Sequence, residues 1–204
     1  MAGTKDYFFH GDLIYSALGK ITAGNYEKGI GDVLLIIQEQ LQVDGVALLC
    51  YTRESLTFRF YRSFEAPSLD FREVEKRIKD YIPWLYRLLV EKKGIIVPDV
   101  SSLPEEASVD KANLVRFNVA SFRLKPVISW FKNHYSIAVF SNVPREWSKR
   151  DDQYLSISAE LLVAAIERTE LIEEIQQSEE LFRIVTDYAP DFESWTLPGG
   201  RVEY

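Results

Sequence analysis

Two histidines, one cysteine and several paired carboxylates are the residues of this sequence best suited to chemistry. His10 and His134 stand far apart, with no Cys or acidic residue at ligand spacing. They read as surface histidines, and no metal site is expected. Cys50 lies in the apolar run 45–51, where a thiol behaves as a small hydrophobe. A single thiol forms no internal disulfide and no Cys-rich zinc site, and it fits a reducing compartment. Glu105-Glu106, Asp151-Asp152, Glu173-Glu174 and Glu179-Glu180 are adjacent pairs. Neighbours in sequence do not face each other on a helix, so these acids read as solvated charges rather than acid/base pairs. No H-E-x-x-H, G-x-S-x-G, phosphate loop or dinucleotide fingerprint occurs. Gly199-Gly200 follows Pro198 and reads as a turn. No catalytic residue is assigned, and this segment is expected not to be an enzyme.

Composition narrows the class further. The 204 residues allow one full domain plus an additional segment. Hydrophobic residues make up 47% and charged residues 27%, enough apolar material for a core without staples. Twelve Phe, 11 Tyr and 4 Trp predict an aromatic core or pocket. The net charge is -7 and the pI near 5.0, and no basic cluster is present. Nucleic acid and anionic membrane surfaces are therefore not expected partners. Residues 1–6 lack a signal-peptide apolar run, and no apolar stretch approaches the ~20 residues that span a bilayer. A cytoplasmic location is expected.

The spacing of apolar residues predicts the elements that must position any site. Residues 7–22 have helical spacing, and Ile30, Val33, Leu34, Ile37 and Leu41 lie on one helix face. The period then changes. Residues 45–51 read as a buried strand, 52–55 as a turn, and Leu56, Phe58 and Phe60 alternate as a second strand. Helical spacing returns over 70–92, with Pro83 ending or kinking the helix and Gly94 closing it. Residues 95–97 form a short strand, 99–107 a loop, and Ser108 or Asp110 caps a short helix through Phe117. Two more strands, 120–128 and 135–141, flank a turn at 130–134. Ser148 is an N-cap with Asp151 three residues on, and one helix runs to about Tyr188, stopped by Pro190. Leu161, Ala165, Ile172, Ile175 and Phe182 fall on alternating three- and four-residue steps, with Arg168 and Glu179 at the intervening positions, the spacing of an imperfect two-helix seam. Consecutive strand pairs predict an α+β fold with a central antiparallel sheet of five to six strands, flanked by helices and followed by a long C-terminal helix.

Residues 28–170 resemble the GAF family of sensory domains. The resemblance lies in residues 31–48, in Trp84 followed by 94–100, in 121–128, and in Arg145-Glu146-Trp147 with 148–168. The Asn-Lys-Phe-Asp-Glu signature of cyclic-nucleotide-binding members is missing, no cysteine stands at a bilin-attachment position, and a single thiol argues against the family's reductases. Residues 178–204 resemble the start of a PAS domain. The resemblance implies an N-terminal helix (1–26), a sensory domain (27–170), a linker helix (171–188) and a truncated PAS-like start (189–204). It implies an unidentified small molecule between the sheet and residues 82–125, with Trp84, Asp99, Phe122, Arg123 and Lys125 as ligand-binding candidates. Aromatics would line the site and Arg123 or Lys125 would meet an anion. Each has a second reading: Trp84 and Phe122 as core, Asp99 as a cap, the basic pair as a solvated strand face. Trp147 is expected to anchor the last helix. A homodimer through Leu161, Ala165, Ile172 and Ile175 would relay the signal to a downstream PAS domain and a histidine kinase or diguanylate cyclase. A ligand-free dimerisation and relay module and an enzyme of this fold are the two alternatives. No cofactor is named.

Overall fold

The continuous apolar run along β1 (Gly45–Thr52) buries both faces of the strand, so helices must cover the sheet on both sides. The computed structural model describes residues 11–52, 58–64, 70–131, 133–188, 195–196 and 202–203. Tyr7 and Phe8 of the first expected helix, most of the expected turn at 52–55, and Leu56 lie outside them. The chain divides into two units, Met1–Glu167 and Arg168–Tyr204.

In the first unit, β1 pairs with β2 (Phe58–Arg62) and β5 (Asn133–Ser141). β5 pairs with β4 (Ser121–Val127), and β4 with β3 (Ile95–Val97). Every pair is antiparallel, in the order β2-β1-β5-β4-β3, so the α+β expectation holds with five strands in this sheet. The turn expected at 130–134 is shorter than its residues suggest. Asn133 and His134 already pair with Thr52 and Tyr51, because β1 is long enough to offer them partners.

Helices α1 (Gly11–Leu18), α2 (Tyr26–Leu41) and the start of α7 (Lys149–Tyr188) cover one face. Ile30, Val33, Leu34 and Ile37 of α2 and Leu155, Leu162 and Ile166 of α7 bury against Val46, Leu48, Ile137 and Val139. Ser148 caps α7 as expected: its hydroxyl accepts from Asp151 N at 3.0 Å, and Asp151 Oδ2 accepts from Ser148 N at 3.1 Å. Arg145 lies over the Trp147 ring at 4.9 Å, and Trp147 packs against this core.

The other face carries α4 (Ile78–Tyr81), α5 (Pro83–Val90) and α6 (Ser108–Arg116), while α3 (Phe71–Lys76) lies beside β2, where Glu75 Oε1 accepts from Phe60 N at 2.7 Å. The single helical pattern over 70–92 is thus three short helices. Pro83 opens the last of them at its first position, where the missing N–H costs nothing. Gly94 does not end α5. Lys92, at φ 54°, turns the chain, and Lys93 N donates to Leu88 O at 2.8 Å. A side chain at Gly94 would instead crowd Leu124 O, 3.1 Å away, so this glycine serves close approach to β4. Residues 99–107, expected as a loop, contain two 3₁₀ turns, Val100–Ser102 and Glu105–Ala107.

The second unit holds the rest of α7 and the two-residue strands β6 (Trp195–Thr196) and β7 (Val202–Glu203), which pair antiparallel. The remainder of the PAS-like stretch 189–204 lies outside the described residues. Among the described residues, no helix is long and apolar enough to cross a membrane.

Candidate functional site: an apolar cavity under the α4–α6 layer

The sheet and its second helical layer do not fill the space between them. A cavity of about 140 Å³ remains. Its floor is the sheet: Ala47 and Leu49 of β1, Phe122 and Leu124 of β4, Ala138 and Phe140 of β5. Its roof includes Leu85 and Leu89 of α5, with Leu114 and Val119 from and just after α6. Every lining residue is apolar. Gly45 helps shape the floor, because a Cβ there would overlap the ring of Phe140, which packs edge-on against Phe64 at 4.8 Å. Ala138, central in the sheet, keeps accessible surface because the cavity lies over it.

The roof is fastened by two buried polar contacts. Asp110 of α6 is 0% exposed, and its two oxygens accept from Trp84 N at 3.0 Å and Leu85 N at 2.8 Å. Asp110 therefore caps α5 across the layer rather than its own helix, which begins at Ser108 after Ala107 with no side-chain cap. At the other end of α5, the Tyr51 hydroxyl donates to Leu89 O at 2.7 Å. Burial raises the Tyr51 pKa, which keeps this hydroxyl a neutral donor. Tyr51 also stacks on Phe58 at 5.0 Å, and Phe58 meets Tyr86 of α5 at 5.6 Å.

The five ligand-binding candidates do not converge. Phe122 lines the cavity. Trp84 supplies a capped N–H and packs at the edge of the same core without lining the cavity. Asp99 is a turn cap whose Oδ1 accepts from Ser101 N at 2.7 Å. Hydrogen bonds from the Ser101 side chain and then its backbone hold the Asp99 carboxyl below its ordinary pKa. Arg123 and Lys125 leave β4 on the opposite face, because side chains alternate along a strand. Both pair with Asp152 of α7, and Lys125 also meets Ser156. The solvated-strand reading of this pair is corrected as well: Arg123 is only 9% exposed. So is the solvated reading of Asp151 and Asp152, since Asp151 caps α7 and bonds Arg145 while Asp152 holds β4. The helical spacing over 70–92 marks Leu85 and Leu89 of the roof, but no spacing singles out Asp110, which looks like an ordinary first-turn acid. Among the described residues, no group of three or more His, Cys, Asp or Glu is placed to hold a metal ion.

Of the relay candidates, Leu161 and Ala165 are half-buried, Ala165 against the first core. Ile172 and Ile175 are 43% and 49% exposed.

This architecture has solved counterparts. No family model matches the sequence, and no curated protein matches it. The photoproduct state of GAF3 from Slr1393 of Synechocystis sp. PCC6803 superposes with a TM-score of 0.57 at 19% identity, over 75% of this chain and 98% of that one. The phycocyanobilin-bound GAF domain from a cyanobacterial phytochrome gives 0.55 at 18%, over 78% and 96%. The GAF domain from Acinetobacter phosphoenolpyruvate-protein phosphotransferase gives 0.52 at 12%, over 79% and 94%. The chain has the GAF fold.

Proposed function

We propose that the chain is a sensory module whose cavity takes a small, uncharged, apolar molecule. α7 relays occupancy to a downstream PAS domain and an effector, a histidine kinase or diguanylate cyclase. The observation that carries this reading is the cavity of about 140 Å³ lined only by apolar side chains. An apolar space of this volume is large enough for a benzene-sized guest. An anion would find no partner there, since Arg123 and Lys125 are engaged on the other face of the sheet. The likeness to a phycocyanobilin-bound GAF domain supports a ligand-binding role for the fold. The ligand itself differs: a tetrapyrrole far exceeds this volume. The one cysteine, Cys50, also packs with the α1–α2–α7 core rather than the cavity.

Benzene titrated into methyl-labelled protein tests the reading. Saturable shifts at Leu49, Leu85, Leu89 and Leu124 are expected, in the millimolar range given so few ligand atoms. Ala138→Leu, which fills the floor, should abolish them. No saturable shift in the wild type overturns the reading.

A second reading, a homodimeric relay with no ligand, is favoured by the exposed apolar face of α7 in the second unit. Leu171, Ile175, Phe182 and Val185 are 39%, 49%, 74% and 63% exposed, at steps of four, seven and three residues. Such spacing suits a helix seam, and a helix of this length gains most of its stability by packing. Sedimentation of the wild type as a dimer, and of Ile175→Asp as a monomer, is the expected result. A wild-type monomer at every concentration overturns it.

A further inference from the structure

Strand β4 presents two different surfaces one residue apart. Phe122 and Leu124, each 5% exposed, line the cavity. Arg123 and Lys125 point the other way and grip the first turns of α7. One oxygen, Asp152 Oδ1, accepts from Arg123 Nη2 and from Lys125 Nζ, the latter at 3.1 Å. Lys125 Nζ also meets Ser156 Oγ one helical turn further on, and that hydroxyl donates back to Asp152 O at 2.6 Å. Positions i and i+2 of the strand thus hold positions i and i+4 of the helix, as the two periodicities require.

Much of the same sheet face is apolar: Val46, Leu48, Ile137 and Val139 meet Leu155, Ala159 and Leu162. Well-packed apolar residues at 123 and 125 would hold α7 about as firmly, because Lys125 and Asp152 keep 28% and 36% of their side-chain surface exposed and water screens a pair so placed. The charges are also unequal. Two cations share one carboxylate, and Arg123 Nε is buried without a hydrogen-bond partner. This contact fixes a geometry while adding little net stability, which suits a junction that must open.

We propose that Arg123, Lys125 and Asp152 form a latch between β4 and the start of α7, released when a molecule in the cavity presses on Phe122 and Leu124. The latch rests on the cavity reading above and supplies its route to the helix. A close-packed strand shifts rather than compresses, so pressure on its even-numbered side chains moves its odd-numbered ones. Coupling of this kind is reciprocal: a loosened latch raises the affinity for the occupant.

Hydrogen exchange at the amides of residues 152–159, in the full chain, reads the latch. Two occupants serve as probes: benzene, and the leucine side chain introduced by Ala138→Leu. Each is expected to speed exchange about fivefold, the low end of measured couplings. Asp152→Asn should exchange fast without either and respond no further, and it should bind benzene about fivefold more tightly. Exchange that responds to neither occupant, or responds equally in Asp152→Asn, overturns the latch. If benzene does not bind but Ala138→Leu still speeds exchange through Asp152, the small-molecule reading falls and the latch stands.

Discussion

Asp110→Ala is expected to destabilise the first unit by about 3 kcal/mol and to abolish the cavity. The residue is fully buried, and each of its oxygens takes one backbone N–H from the first turn of α5. Pro83 removes the donor at the first helical position, so Trp84 and Leu85 hold the next two that the helix itself cannot satisfy. Alanine leaves those N–H groups, one of them wholly buried, without an acceptor. An unsatisfied buried donor costs its desolvation penalty in addition to the lost bond. The roof residues Leu85 and Leu89 sit on this helix, so benzene binding should disappear together with the stability. Asp110→Asn keeps one good acceptor and should cost roughly half as much. Urea unfolding measures both: a midpoint lowered by roughly 1.5 M is expected for alanine, given the usual denaturant slope. A midpoint within roughly 0.3 M of wild type would show that α5 is held by its apolar contacts alone.

Arg145→Ala carries the second large effect, about 2–3 kcal/mol. Its Nη1 donates to Leu41 O at 2.8 Å and Gln42 O at 3.0 Å, the carbonyls left open where α2 ends. A cation there also meets the negative end of the helix dipole. Nη2 reaches Asp151 Oδ2 at 3.3 Å, inside the capping box that starts α7, and the guanidinium lies over Trp147. One side chain therefore ties the end of α2 to the beginning of α7. Arg145→Lys should recover little, because an ammonium has no planar fork with which to serve both helices at once. Thermal unfolding reads the loss: a fall in Tm of about 6–10 °C is expected for a domain of this size. The lysine variant should lie close to the alanine one, and full rescue by lysine would reduce the contact to simple charge.

Neither effect is legible in the spacing of residues, and the reason separates what the sequence determines from what the fold adds. Periodicity is local. The apolar face of α2, the strand character of β2, the Ser148 cap and the length of α7 each follow from residues within a few positions of one another. All of them stand in the structure close to where the pattern puts them. Local signals blur where a segment changes direction without changing its apolar spacing. Residues 70–92 read as one helix ended or kinked at Pro83, yet the helix breaks twice there, at Arg77 and Ile82, because Glu75 of α3 is tied to β2 while Ile78 and Leu85 turn into the core.

The site belongs to the other category. Asp110 and Leu85 are 25 positions apart, and Arg123 and Asp152 are 29. Such pairs exist only once the sheet has set its register. Strand alternation decides that Phe122 faces the cavity and Arg123 faces α7, and the direction of that alternation depends on which helices cover which face. The sequence by itself determines an antiparallel sheet between helices, followed by a long helix with a firm start. Only the tertiary structure places an apolar void on one side of β4 and a charged grip on the other, because both depend on contacts between segments that no local pattern encodes.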